Sequence, residues 1–174
     1  MDFRSKTIII TGASSGIGKA TALMAYERGA NIAVVARRGE ELSALCSSLS
    51  TLRYEIIPAD VTIEAGRKQI VETTISHFGG IDVLVNAAGI IGFGSIENTT
   101  LEQWDTMLDV NLRSLFRLTQ LALPSIIQRK GNIVNVSSVT GIRSFPRISI
   151  AAFRSPAEKT RYSSESAQMT CFTI

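Results

Sequence analysis

The chain has 174 residues, 45% of them apolar and 19% charged, with a net charge of +3. That length suits one domain, and that balance supports a packed core rather than disorder. The small excess of positive charge is scattered, so no nucleic-acid-binding arm is expected, and no apolar stretch approaches a membrane span.

The N-terminal residues MDFRSKTIIITG carry an acid at Asp2 and too short an apolar run for a signal peptide. Lys6–Thr11 (KTIIIT) reads as a first strand, and Gly16–Arg28 has helical spacing. Asn31–Ala36 (NIAVVA) is a strand, Glu40–Leu49 a helix, Arg53–Ile57 a strand and Ile63–His77 a helix. Ile81–Asn86 (IDVLVN) opens the most apolar stretch, which Asp82, Asn86 and several glycines interrupt. Leu101–Gln128 is helical, with a break expected near Asn111, and Pro124 would kink it unless the helix ends there. Asn132–Ser137 (NIVNVS) is a fifth strand. Strands that are continuous apolar runs are buried on both faces, so this alternation predicts a doubly wound α/β parallel sheet.

After Ile150 the pattern stops. Residues 151–174 are rich in Ser and Thr and offer no convincing strand, which predicts a poorly ordered tail behind a domain over 1–150. Cys46 and Cys171 match no metal spacing and no paired-thiol motif, so no metal and a reducing, cytoplasmic setting are expected.

The strongest chemical signal is TGASSGIG, Thr11–Gly18, which follows a strand and opens a helix. Gly12 permits a tight turn. Gly16 and Gly18 leave no side chain between backbone and a pyrophosphate, or between helix and strand. The helix N-terminus beside Ile17 favours an anion, and Ser14 and Ser15 can add hydroxyl donors. The plain alternative is a Gly/Ser turn capping a helix.

Arg37 and Arg38 follow the second strand, where an adenosine ribose would lie. A carboxylate there would select a 2′-hydroxyl; two guanidiniums suit a 2′-phosphate instead. With the glycine turn, this predicts NADP(H) in preference to NAD(H); the alternative is a pair of solvated surface arginines.

These marks, with Asp60-Val61 after the third strand, Asn86-Ala87-Ala88-Gly89 after the fourth, Asn111 within DVNLRS and Asn135-Val136-Ser137-Ser138 after the fifth, resemble a short-chain dehydrogenase/reductase over about residues 4–150. The resemblance implies a Rossmann-like sheet, here of about five strands in the order 3-2-1-4-5, with a dinucleotide-binding domain over 1–150. It implies that Asp60 and Val61 meet the adenine and that Asn86, Ala87, Ala88 and Gly89 line the cofactor groove. It implies catalytic roles for Ser138, bonding a substrate carbonyl oxygen, and for Asn111, holding a water in a proton relay. The implied substrate is a small carbonyl or alcohol.

The family's Tyr-x-x-x-Lys pair is missing. Beyond Pro146 its slots hold Ala151 and Ser155, and Tyr162 with Lys159 stands in the reverse order. His77, the only histidine, reads as a solvated residue at a helix end. Family members also continue further, and without that continuation the fifth strand is expected to show a bare edge. The helical stretch over 112–128 is expected to show an apolar face, which in the family packs against a second subunit. Three readings follow: a reductase active despite its tail, a non-catalytic cofactor-binding chain that pairs with a full-length relative, and a tail produced by a frameshift, alternative splicing or a faulty gene model.

Overall fold

A computed structural model describes residues 3–92, 97–138 and 168–173. The first strand, β1 (Thr7–Thr11), is buried along its whole length, as a central strand with helices on both faces must be. It pairs in parallel with β2 (Asn31–Ala36) on one side and β4 (Val83–Asn86) on the other. β3 (Tyr54–Pro58) lies outside β2, and β5 (Asn132–Ser137) outside β4. The five expected strands thus take the order 3-2-1-4-5.

Side-chain alternation along β1 assigns the two layers. Ile8 and Ile10 pack with Ala22 and Ala25 of α1 (Gly16–Glu27) and with Leu42 and Leu45 of α2 (Gly39–Cys46). Ile9 faces the other way, onto Ile70 of α3 (Glu64–Phe78) and Leu118, Ala122 and Ile126 of α5 (Ser114–Gln128). Both faces of the central strands are therefore covered, as a doubly wound sheet requires, whereas β5 is half-buried along its length apart from Ile133.

Element ends differ from the sequence reading at several places. β4 begins at Val83 rather than Ile81: the buried Asp82 carboxylate accepts from the Thr7 N–H (3.0 Å) and from Lys6 Nζ (2.9 Å). A 3-10 turn, Thr51–Arg53, leads into β3. The expected break near Asn111 is a π-turn, Asp109–Arg113, between α4 (Leu101–Leu108) and α5, in which the Ser114 N–H bonds the Asp109 carbonyl. One extra residue in a helical turn is a common device at functional sites. α4 starts with a capping box between Thr100 and Gln103. The helix does not end at Pro124, which lies inside α5.

One expectation is corrected. Gln168–Thr173 is a sixth strand, β6, paired in parallel with β5 from Asn132↔Gln168 to Ser137↔Thr173. The edge of β5 expected to be bare is covered. The segment QMTCFT has β-branched and aromatic residues but no clean alternation, and strand formation depends strongly on the neighbour available. The remaining residues of 139–174, including Pro146, the Ala151–Ser155 slots, Lys159 and Tyr162, lie outside the described residues.

Candidate functional site

In a parallel sheet every strand ends on the same edge, and the predicted site residues gather there. Gly12 and Gly16 take left-handed φ values of +67° and +52°, a region open to glycine at little cost. Gly18 is enforced by proximity: an added Cβ would stand 2.3 Å from the Gly12 carbonyl oxygen. At Gly12 it would stand 2.7 Å from the Ala87 oxygen, whereas at Gly16 it would meet nothing within 4 Å. The turn is thus closed on the side of β4 and open at Gly16. Ser15 and Ile17 are exposed beside it, Ser14 is half-buried, and the first turn of α1 holds no acid.

Thr11 fixes this turn to the loop after β4. Its hydroxyl accepts from the Ala87 and Ala88 N–H groups (both 3.0 Å) and donates to the Val85 carbonyl at 3.4 Å. The Ala13 N–H bonds the Val35 carbonyl at the end of β2. Asn86 is buried, donating to Asn135 Oδ1 (2.9 Å) on β5 and to Thr119 (3.3 Å) on α5. Asn111 closes the far end: its Oδ1 accepts from the Ile90 N–H and its Nδ2 donates to the Ile90 carbonyl, each at 2.8 Å. A Cβ on Gly89 would stand 3.3 Å from that same Oδ1. Ser138 is exposed directly after β5.

Arg37 and Arg38 are both exposed beyond β2. The chain there offers no carboxylate of its own, but Glu41 pairs with Arg38 at 2.9 Å. Arg37 faces Asp60 closely enough to act on its ionisation. Burial raises the Asp60 carboxyl, but bonds from the Thr62 N–H (2.8 Å) and hydroxyl (2.7 Å), with the charges of Arg37 and Arg67, outweigh it and hold the carboxyl below its ordinary value. Val61 follows, its carbonyl bonded by Arg67. Arg67 escaped the sequence reading: it is a buried cation in α3, and its only signal was Glu64 at helical spacing. His77, read as solvated, is exposed in the last turn of α3 and pairs there with Glu55 of β3 at 2.8 Å.

Among the described residues, no group of three or more His, Cys, Asp or Glu side chains could hold a metal ion. No helix there is long and apolar enough to cross a membrane.

A family model described as short chain dehydrogenase matches residues 6–152. The chain belongs to the short-chain dehydrogenase/reductase family. It is 38% identical over 139 residues to an uncharacterized oxidoreductase of Staphylococcus epidermidis, covering 79% of this chain and 60% of that protein. Among solved structures, a Caenorhabditis elegans glucose dehydrogenase in its apo form is 38% identical with a TM-score of 0.76, over 87% of this chain and 64% of that one. A C. elegans short-chain dehydrogenase/reductase with cofactor is 33% identical with a TM-score of 0.77, over 87% of this chain and 59% of that one. The chain therefore spans about 60% of the length of the curated relatives it matches.

Proposed function

We propose that this chain binds NADP(H) along the carboxyl ends of β1, β2, β3 and β4, as the nucleotide-binding part of a short-chain oxidoreductase that interconverts a small carbonyl and an alcohol in the cytoplasm. The observation that carries this reading is the glycine turn, closed by Ala87 behind Gly12 and open to solvent at Gly16. A pyrophosphate fits that shape, with the N–H groups of the first turn of α1 as donors and no acid to repel it. Arg37 would hold the 2′-phosphate, with Arg38 released from Glu41 to join it. Asp60 and Val61 would face the adenine, and Asn86, Ala87, Ala88 and Gly89 would form the groove floor.

Bound there, the nicotinamide supplies or accepts hydride. Ser138 would donate a hydrogen bond to the substrate oxygen as charge develops on it. Asn111 would act first by holding the Ile90 backbone in place, since both functional atoms of its amide already bond that backbone. The proton is the weak point. With Ala151 and Ser155 in the Tyr and Lys slots, loss of a general acid costs on the order of 10²–10⁴ in rate. That substitution favours a second reading, a cofactor-holding chain without turnover that associates with a full-length relative. Leu112 and Phe116 are 61% and 57% exposed on the helical region before and within α5, and they supply an apolar contact for either a like or an unlike partner.

Calorimetric titration with NADPH, and with NADH as control, tests the reading. Micromolar NADPH binding with NADH at least roughly tenfold weaker is expected, and binding of neither overturns it. NADPH consumption across a panel of carbonyls then separates the two readings.

A further inference from the structure

We propose that Arg67 is a positioning residue for the adenosine end of the groove, holding the Asp60–Val61 loop in the shape the nucleotide meets; the inference rests on the cofactor reading above. The Arg67 side chain is only 7% exposed. A guanidinium taken out of water is costly unless it is paired and hydrogen-bonded, and an apolar side chain often fills such a place more cheaply. Its presence therefore calls for a reason in what it bonds.

The bonds supply one. Nε and Nη2 donate to Glu64 Oε2 at 3.2 and 2.8 Å. Nη1 donates to the Val61 carbonyl at 2.6 Å. The first pair is an ordinary contact within one helix, and such contacts contribute little when exposed. The third bond is different. It leaves the helix and takes a carbonyl of the loop that ends β3, beside the Asp60 carboxylate. The second oxygen of Glu64 accepts from Arg117 Nη2 on α5 at 3.0 Å. One line of charge-assisted bonds thus runs from the Val61 carbonyl through Arg67 and Glu64 to α5. The loop is not left to its own turn; it is tied to two helices.

A further consequence is electrostatic. Burial raises the Asp60 carboxyl, and the Arg67 charge is the smallest of the contributions that, with the Thr62 bonds and Arg37, outweigh it and hold the carboxyl below its ordinary value. An ionised, fixed carboxylate accepts a hydrogen bond from an adenine amino group; a loose one must first be ordered, which weakens binding. Arg67 touches none of the nucleotide in this account and acts through Val61 and Asp60.

The test uses two probes of different halves of the ligand, adenosine 2′,5′-bisphosphate and inorganic pyrophosphate, titrated into the full chain and into Arg67→Met and Arg67→Lys. In Arg67→Met the Kd for the adenosine probe should rise roughly tenfold, while that for pyrophosphate stays within about twofold. Arg67→Lys should recover part of the loss, since an ammonium can keep one of the bonds but not the fork. If Arg67→Met gives no cooperative melt, Arg67→Lys carries the test on the same selective loss. An unchanged adenosine Kd, or an equal loss for both probes, overturns the inference and leaves the cofactor reading standing. Failure of the unsubstituted chain to bind either probe overturns the cofactor reading and this inference with it.

Discussion

The side chain of Asn111 and the backbone of Ile90 form a closed ring of two hydrogen bonds, each 2.8 Å long. The π-turn places the amide there, and the ring fixes the chain leaving Asn86–Gly89. Replacing Asn111 with Leu removes both bonds from an exposed position, so a cost of about 1–2 kcal/mol is expected. The Ile90 amide should exchange with solvent faster than in the parent, measured by hydrogen exchange. Unchanged protection at Ile90 would show that the ring does not hold the loop.

Gly16 and Gly18 should separate binding from stability. Gly16→Ala places a Cβ in open space but at a φ of +52°, costing about 1 kcal/mol. On the proposed cofactor reading its main effect should be on NADPH, through a methyl standing where the phosphates would approach. Gly18→Ala forces a Cβ to 2.3 Å from the Gly12 oxygen and should cost about 2–4 kcal/mol. Thermal melts and NADPH titration of the two variants check the contrast; equal stabilities would refute it.

Asp60 predicts a pH dependence whose sign follows from its lowered pKa. Burial pushes the carboxyl up, but the Thr62 bonds and the Arg37 and Arg67 charges prevail. A group depressed in the folded state stabilises above its unfolded pKa of about 3.9, and that contribution is lost as pH falls through the folded value. Asp60→Asn should therefore flatten the fall in melting temperature below about pH 4 relative to the parent. Parallel curves for the two proteins down to acid pH would remove Asp60 from the account.

β6 predicts a solubility effect. A chain ending at residue 167 would lack Gln168–Thr173 and expose the edge of β5. Loss of thermal stability together with concentration-dependent light scattering is expected, because an unpaired edge recruits other strands. A shortened chain that melts and scatters like the parent would show that β6 adds nothing to the sheet.

Strands were the most legible part of the fold, because Ile8–Ile10, Ile32–Val35 and Leu84–Val85 must be apolar on both faces to lie between two helical layers. Asn111 was legible through its place in DVNLRS, but its partner was not: a bond to the backbone of Ile90 leaves no mark on the identity of that residue. Arg67 was hidden because a helical Arg three residues after a Glu reads as a solvated pair, and only the fold brings Val61 over it. β6 was missed because parallel pairing joins residues more than thirty positions apart, so QMTCFT carried no local pattern to reveal it.

Thr11 stands at the end of β1, immediately before the glycine turn. One hydroxyl engages two N–H groups from the loop after β4 and one carbonyl of β4, so the residue that opens the glycine turn also holds that loop, beside the close approach of Gly12 to Ala87. On the cofactor reading proposed above, a ligand held by one loop would act on the other through these bonds. Thr11→Val keeps the volume and removes these bonds, leaving the turn and the loop after β4 joined by the packing of Gly12 against Ala87 alone.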